Sequence, residues 1–404
     1  MSKLEILKKS LITALLGMLL TFPIVVIKVN TIDKVITWRW LLMLGVGAVI
    51  AVISYLWIRQ QERQKAGITF KFDDSKFGIK YNSIKKQPVL SKGVPIGFLV
   101  LIIVIPFVTT PYTTSIFTTA LIYIILGLGL NIVVGLGGLL NLGYAAFFGV
   151  GAYTFAILNM NFGVGFWIAL PLGGIVSALF GALIGLPVLR LKGDYLAIVT
   201  LGFGEMTRIL TENLDWLTKG PSGIANIPKP TLFGHTFGYF GSTRYIYLIA
   251  VALVILIIFI VWRLENSRMG RSWVAMREDD IACESMGIDL TKSKMTLFVI
   301  SAAIAGLAGV LFASKTAFIN PKSFTLMHSV MILCIVVLGG KGSVRGVILG
   351  ALILNLLPEY LRGFQQYRML IFGFLLVVMM VFRPGGIIQN VRKIYKIDED
   401  IDSE

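Results

Sequence analysis

The sequence predicts an all-α, polytopic membrane protein. Hydrophobic residues make up 56% of the 404 residues and charged residues only 14%, and the mean hydropathy is +0.84. These values lie outside the range of soluble globular domains. A helix needs an apolar run of about 17 to 25 residues to cross a bilayer, and the chain offers about twelve candidates. They extend over Ser10–Val29, Trp40–Ile58, Val94–Val108, Ser115–Gly135, Leu139–Leu158, Phe166–Leu189, Tyr195–Thr211, Arg244–Trp262, Met295–Ala317, Thr325–Gly339, Arg345–Leu361 and Tyr367–Phe382.

The distribution of positive charge predicts the orientation of these segments. With an even number of spans both termini lie on one side, and most of the 37 Lys and Arg residues then fall in the segments on that side. Cytoplasmic segments carry such an excess, so we expect the N-terminus and the C-terminus inside. The net charge of +16 therefore reflects topology, and no basic domain interleaved with aromatic residues indicates a nucleic-acid partner. The runs that start at Val94, Leu139, Tyr195 and Thr325 are short or interrupted by glycine, and we expect some of them to be re-entrant or tilted rather than spanning.

The segments predict three parts of the chain. Residues 1–114 form N-terminal anchor helices with a basic cytoplasmic insertion at 59–92, residues 115–384 form the main transmembrane domain with a cytoplasmic loop at 263–294, and residues 385–404 form a cytoplasmic tail. The first apolar run lacks a small-residue cleavage site, which favours an uncleaved anchor. The basic insertion has two interpretations, contact with anionic headgroups or docking of a regulatory partner.

Several kinds of chemistry are excluded by the residues present. A phosphate-binding P-loop requires GxxxxGK[ST], but Ile335 occupies the first glycine position ahead of the string at Leu338–Ser343. No arrangement for nucleophilic catalysis can be assembled either, so the chain is not predicted to be an enzyme. Metal ligands are scarce, and neither a metal site nor a disulfide framework is expected. The only cysteines and histidines are Cys283, Cys334, His235 and His328.

Two polar features within apolar segments are candidates for a translocation pathway. The first is a glycine-rich stretch that contains Asn131, Gly137, Gly138 and Asn141. Its glycines indicate either close helix packing or a helix break at which backbone groups and Asn amides meet a polar substrate. The second feature is Glu205 and Arg208, which share a helix face at a spacing of three. They form either a structural ion pair or a contact for a polar or zwitterionic substrate.

A short charged helix that ends at a glycine is predicted at Met276–Asp289, between two apolar segments. Asp279 and Asp280 stand near its positive N-terminus and Gly287 is placed as its C-terminal cap. Its apolar residues recur at helical spacing, so the helix has one small apolar face. This face lies either on lipid or on a protein partner, and the acidic residues favour the protein because an anionic leaflet repels them. The apolar residues are Ile281, Ala282, Cys283 and Met286.

The string REDDIACESMGID resembles the EAA-type coupling loop of ATP-binding-cassette (ABC) importer permeases, in the variant carried by high-affinity branched-chain amino acid permeases. Three further stretches are similar to that family: GLGLNIVVGLGGLLNLGYAAFFGVGAY, KGDYLAIVTLGFGEMTRI followed by TKGPSGIANIP, and VVLGGKGSVRGVILGA. The resemblance covers residues 115–384 and is greatest for the M-type (LivM-type) subunit. Cys283 and Ser285 depart from the alanines that the family commonly has there, which should tune docking.

The resemblance implies a multi-pass permease of the bacterial inner membrane that works with partners. These are a second, LivH-like permease, two cytoplasmic ABC ATPase subunits and an external solute-binding protein. The chain itself would bind no cofactor, and ATP would be used by the ATPase subunits. Pro221, Ser222 and Gly223 in an outer loop would help to receive the binding protein. The residues that would couple to the ATPase are Arg277, Glu278, Asp279, Ile281, Ala282, Glu284, Met286 and Gly287.

The substrate implied by the resemblance is a branched-chain amino acid, namely leucine, isoleucine or valine. Two alternatives remain open at this point. Similar permeases carry urea or short amides, and no residue separates those from amino acids. A secondary transporter driven by an ion gradient through Glu205 is the alternative from another class, although it would leave the charged helix without a role.

Overall fold

The computed structural model describes residues 104–188, 191, 193–231, 238–360, 373, 377 and 385–388, together with two strands at 27–30 and 35–38. The chain divides into two compact units, Met1–Ile96 and Gly97–Glu404. Several predicted features lie wholly or mostly outside the described residues. These are the apolar runs at 40–58, 94–108 and 367–382, the basic insertion at 59–92 and the tail at 385–404.

A β-hairpin is the element described in the first unit. Strand β1 (Ile27–Asn30) pairs antiparallel with β2 (Val35–Trp38). The prediction that the apolar run continues as helix to Val29 is wrong for its last three residues, which belong to β1. Isoleucine, valine and threonine dominate both strands, and β-branched residues fit an extended backbone better than a helix.

Helix α1 (Pro111–Asn131) continues into a π-helical turn (Ile132–Leu136), so together they confirm the predicted span Ser115–Gly135. Thr110 caps the N-terminus by accepting a hydrogen bond from the N–H of Thr113. Pro111 fits the first helical position because proline lacks an N–H, and an N–H at this position would have no intrahelical partner. A π-helical turn is rare and often marks a functional site.

The glycine-rich stretch breaks the helix, as one of its two interpretations predicted. Helix α2 extends over Tyr144–Phe162 and α3 over Phe166–Val188. The predicted span Leu139–Leu158 therefore begins five residues too early. Gly138 adopts φ +69°, which a left-handed turn requires and a right-handed helix cannot use.

Helix α4 (Asp194–Asn213) confirms the helix predicted at Tyr195–Thr211. It is not among the helices apolar enough to cross a bilayer by composition, because it carries Glu205, Arg208 and Glu212. Beyond it come α5 (Asp215–Thr218), a 3-10 turn (Gly220–Ser222) and β3 (Ile224–Ala225).

The remaining helices follow the predicted order with shifted ends. The large ones are α6 (Tyr239–Glu265), α9 (Leu290–Thr316), α10 (Leu326–Gly339) and α11 (Val344–Tyr360). Two short helices, α7 (Arg268–Glu278) and α8 (Asp280–Ser285), separate α6 from α9. After α9, β4 (Phe318–Ile319) pairs antiparallel with β3, and a 3-10 turn (Pro321–Phe324) leads into α10.

Among the described residues, six segments are long and apolar enough to span a membrane. The described part of the chain is thus mostly helical, as predicted, with two small β-ladders that the all-α prediction lacked. The six segments are Pro111–Leu136, Tyr144–Phe162, Phe166–Leu186, Gly241–Glu265, Leu290–Thr316 and Pro321–Gly339.

Helix α9 forms the centre of the bundle and packs against α2 and α3. Small residues allow this packing, because a Cβ added to Gly309 would lie 2.2 Å from the Phe148 carbonyl oxygen. Helix α3 runs antiparallel to α9, with Gly185 next to Met295 and Gly173 next to Val310. At its 27 residues α9 is about 40 Å long and connects the short helices α7 and α8 at one end with the β3–β4 ladder at the other.

Candidate functional site

The charged segment, defined as Arg277–Gly287, consists of two short helical pieces, where the sequence predicted one helix. Asp279 has an extended backbone (φ −154°, ψ 112°) and separates α7 from α8. Its carboxylate accepts hydrogen bonds from the N–H groups of Ile281 (2.8 Å) and Ala282 (3.1 Å). An aspartate that caps a new helix competes with continuation of the old one, which explains the interruption.

The C-terminal end of α8 has the geometry predicted for Gly287. Gly287 adopts φ +79°, its N–H donates to Glu284 at 3.0 Å, and the N–H of Ile288 donates to Cys283 at 3.0 Å. This pair of bonds is a Schellman motif, which satisfies the last helical carbonyls and ends the helix. A Cβ at Gly287 would have no atom within 4 Å, so this turn is open to the surroundings.

The apolar residues of the charged segment divide between two faces. Ile281 is 73% exposed and Met286 is 83% exposed, whereas Cys283 is only 5% exposed and packs inward. The sequence had placed all three on one free face. Glu278 and Glu284 are also exposed, so the outward surface is a small apolar patch beside acidic groups.

Two inward contacts attach the charged segment to the long helices. The guanidinium of Arg277 donates to the carbonyl of Gly135 at 2.8 Å, and Asp280 pairs with Lys294 at 3.3 Å. Lys294 is nearly buried at the start of α9, where an unpaired ammonium would be costly. At the same end, the N–H of Lys292 donates to Asp289 at 3.0 Å and, with the Lys292 ammonium, holds the pKa of Asp289 below its usual value.

The helix break after α1 is held from a second side. Asn131 is buried, and its side-chain oxygen accepts a hydrogen bond from the N–H of Gly342 at 2.8 Å. A Cβ added to Gly135 would meet both partners of this bond within 2.4 Å. The break is therefore connected to the turn between α10 and α11. Nothing local in the sequence signals this contact, since Asn131 and Gly342 are separated by 211 positions.

Asn141 is buried just before the N-terminus of α2, where Gly143 is the N-cap residue. Its side-chain oxygen accepts from the N–H of Gly143 at 3.0 Å. Its side-chain nitrogen is buried and has no hydrogen-bond partner in the part of the chain that the structure describes. A buried donor without an acceptor is rare in folded proteins and costs free energy.

Glu205 and Arg208 form an ion pair, and Arg208 also pairs with Glu212; both distances are 2.7 Å. The trio carries one more negative charge than positive. Glu205 lines a cleft between the N-terminus of α2, helix α4 and the start of α10, which in this structure is too narrow to hold a water molecule. Thr200 and Ser329, which the sequence did not indicate, fix these walls by accepting from the N–H groups of Leu142 and Ala145.

The six predicted pathway residues thus form two groups. Asn131, Gly137 and Gly138 lie at the helix break, where Gly138 lies against Arg277. Asn141 lies at the N-terminus of α2, and Glu205 lines the cleft beside that helix end with Arg208 one turn further along α4.

The predicted binding-protein contacts lie at the opposite end of α9 from the charged segment. Pro221 and Ser222 form an exposed 3-10 turn, and Gly223 follows with φ +70°. A Cβ at Gly223 would lie 2.3 Å from the carbonyl oxygen of Ile319 in β4. Only glycine fits this approach, so the turn is held in a fixed position next to the β3–β4 ladder.

No group of three or more His, Cys, Asp or Glu side chains in the described ranges is arranged to hold a metal ion. The six apolar segments define the protein as a multi-pass membrane protein.

The chain belongs to the family of permease components of branched-chain amino acid transport systems, which matches residues 112–382. This confirms the predicted resemblance. It is similar to the high-affinity branched-chain amino acid transport system permease protein LivM of Escherichia coli (strain K12), with 49% identity over 335 residues, covering 78% of this chain and 79% of the relative.

Two further relatives show the breadth of the family. LivH, a high-affinity branched-chain amino acid permease protein of Escherichia coli (strain K12), is 31% identical over 193 residues, 45% of this chain and 60% of that protein. LsrC, an autoinducer 2 import system permease of Enterobacter sp. (strain 638), is 26% identical over 194 residues, which cover 46% of this chain and 53% of that protein. No solved structure has significant similarity to this chain.

Proposed function

We propose that the chain is a permease subunit of an ATP-driven ABC importer that carries leucine, isoleucine and valine across the bacterial inner membrane, with both termini in the cytoplasm. The observation that carries this proposal is the charged segment, whose apolar patch points outward while Arg277 and Asp280 attach it to the long helices. Membership of the branched-chain amino acid permease family supports the substrate class.

The proposal requires partner chains. A second, LivH-like permease would complete the membrane domain, and two ABC ATPase subunits would hydrolyse ATP, because this sequence lacks a P-loop. An external solute-binding protein would deliver substrate at Pro221, Ser222 and Gly223. Within this chain, residues 115–384 would be the permease domain, residues 1–114 the anchor with its basic insertion at 59–92, and residues 385–404 a cytoplasmic tail.

The charged segment would dock in a groove of one ATPase subunit. Ile281 and Met286 would enter that groove because they are exposed apolar side chains on the outward face. Ala282, Glu284 and Gly287 are exposed beside them and would form the surrounding contact. Arg277 would hold the segment in position through Gly135 and Asp279 through its cap on α8, while the exposed Glu278 would join the contact surface. Closure of the ATPase dimer would then move the segment and drive alternating access.

The cleft at the N-terminus of α2 would belong to the translocation pathway. Asn141 offers a free donor near the positive end of a helix, which suits a substrate carboxylate, and the Glu205 trio with its excess negative charge suits a substrate ammonium group. Asn131, Gly137 and Gly138 would form the bend that opens and closes this pathway.

Purification through a tag on this chain tests the complex directly. We expect a second permease and P-loop ATPases to accompany it, and the complex in vesicles to accumulate leucine only with ATP and a binding protein. Preference for urea over leucine would support the short-amide alternative. A chain that purifies alone and transports without ATP, driven by an ion gradient, would overturn the proposal.

Replacing Glu205 with glutamine tests the pathway. A hydrogen bond to a charged group is worth about 1.5 to 3 kcal/mol, so uptake should fall about tenfold or more if Glu205 binds the substrate ammonium. Glu212→Gln is a matched control, because it removes the other ion pair of Arg208 and Glu212 is not part of the cleft wall. Initial rates of leucine uptake measure both. Equal losses in the two variants would assign Glu205 a structural role only.

A further inference from the structure

We propose that Arg277 is a positioning residue that connects the charged segment to the helix break of α1, so that a displacement of the segment is transferred to the break. The inference deepens the proposed function and rests on it. It assigns Arg277 an internal partner, in contrast to the contact with the ATPase that the sequence predicts.

The first support is the hydrogen bond from the Arg277 guanidinium to the carbonyl of Gly135, at 2.8 Å. Gly135 belongs to the π-helical turn, in which the regular bonding pattern is lost. The carbonyls of Ile132 and Val133 accept from the N–H groups of Gly137 and Leu139, whereas that of Gly135 accepts from Arg277. A charged donor on a backbone carbonyl is among the stronger hydrogen bonds in proteins.

The second support is steric. Gly138 has φ +69°, and a Cβ added there would lie 2.4 Å from Cγ of Arg277. The aliphatic part of Arg277 therefore lies directly on the backbone of the break, and its charged end reaches past it to Gly135. The Arg277 side chain is 39% exposed, so its connection to the break consists of this close contact and of the hydrogen bond to Gly135.

The third support is the arrangement of the other attachments. The break is fixed to the α10–α11 turn through Asn131 and Gly342 at 2.8 Å, and the charged segment is fixed to α9 through Asp280 and Lys294 at 3.3 Å. Arg277 joins these two assemblies at the break, beside Leu297 of α9, which lies against Gly137. Because Arg277 stands at the end of α7, directly before α8, motion of these two short helices relative to α9 acts on α1 through this side chain.

The geometry of the guanidinium also explains why arginine is needed. Its second nitrogen, Nη2, pairs with Glu278 at 2.8 Å while Nη1 binds Gly135. Two directed donors on one planar group fix its orientation, and lysine has no equivalent fork. Glu278 therefore orients Arg277 and leaves the carbonyl of Gly135 to the other nitrogen.

The test compares Arg277→Met and Arg277→Lys with Arg271→Met in the intact complex in vesicles. Arg271 is the matched control, because it is an exposed arginine of α7 whose guanidinium donates to the carbonyl of Asn266, at the junction of α6 and α7. Leucine taken up per ATP hydrolysed is the readout, together with the amount of ATPase that copurifies. Arg277→Lys keeps the charge and the aliphatic part of the side chain, so uptake per ATP can still be measured with it if Arg277→Met fails to assemble.

We expect both Arg277 variants to retain the ATPase and its hydrolysis. Arg277→Met should lower uptake per ATP about tenfold, as loss of one charge-assisted hydrogen bond predicts. Arg277→Lys, which keeps a charged donor but not the planar fork, should lower it by a smaller factor. Arg271→Met should leave the ratio unchanged. Loss of copurifying ATPase in both Arg277 variants would place Arg277 in the ATPase contact and overturn this inference while the importer proposal stands. An unchanged ratio with normal assembly would overturn it as well.

Discussion

Replacement of Ile281 and Met286 together by glutamate is expected to abolish ATP-driven uptake while the protein still inserts and folds. Both side chains are exposed, so no core contact is lost and exposed positions tolerate charge. A docked apolar side chain in the centre of an interface contributes about 2 kcal/mol or more, so two charges there should weaken ATPase binding at least a hundredfold.

The measurement is leucine uptake and ATPase copurification from cells that express equal amounts of the variant. Ile281→Leu with Met286→Leu is the matched control, since it keeps the apolar surface and changes only its shape. Normal uptake by the glutamate variant would show that the ATPase docks elsewhere and would remove the main support for the proposed function.

Gly287→Arg, a single change at the end of the charged segment, is a less clean test of docking. Its φ of +79° lies in the left-handed region, where an L side chain costs about 1 to 2 kcal/mol even in open space. A defect in that variant would therefore combine backbone strain at the Schellman motif with a blocked interface. The double glutamate variant at Ile281 and Met286 tests the interface without backbone strain, because neither residue has a positive φ.

The long helices could be predicted from the sequence because their signal is local. An apolar run of sufficient length specifies a helix in a membrane whatever its neighbours are, since every backbone group must be satisfied within the segment. Thus α3, α6 and α9 lie where the runs placed them. The ends were less predictable: α9 begins five residues before the predicted Met295, because Asp289 caps it through Lys292.

The candidate site could be predicted only as residue types, and its contacts depend on long-range packing. The sequence indicated that Asn131 and Asn141 are unusual in apolar segments. It did not indicate that Asn131 accepts a hydrogen bond from the N–H of Gly342, or that the side-chain nitrogen of Asn141 has no partner among the described residues. It indicated Arg277 as part of a coupling helix, but not its contact with Gly135. Periodicity also failed at Asp279, because a side-chain cap overrode continuation of the helix.

The glycines of the bundle centre provide the prediction with the largest expected effect on folding. Gly309→Ala should strongly destabilise the protein, because its new Cβ would lie 2.2 Å from the carbonyl oxygen of Phe148 and 2.7 Å from the N–H nitrogen of Ala152. Both atoms belong to the backbone of α2, which cannot rotate away as a side chain does. Helices α2 and α9 must therefore separate, and overpacking costs about 1 to 3 kcal/mol, with the upper end expected where backbone atoms clash.

Gly202→Ala is the matched control, because Gly202 is also helical and a Cβ there meets no atom within 4 Å. Alanine favours a helix over glycine by about 1 kcal/mol, so this variant should be as stable as the parent or slightly more stable. The fraction of monodisperse protein that remains in detergent after a temperature series measures both. If Gly309→Ala melts with the parent, α2 and α9 are not in backbone contact, and the support that α9 gives to the charged segment through Lys294 would have to be reconsidered.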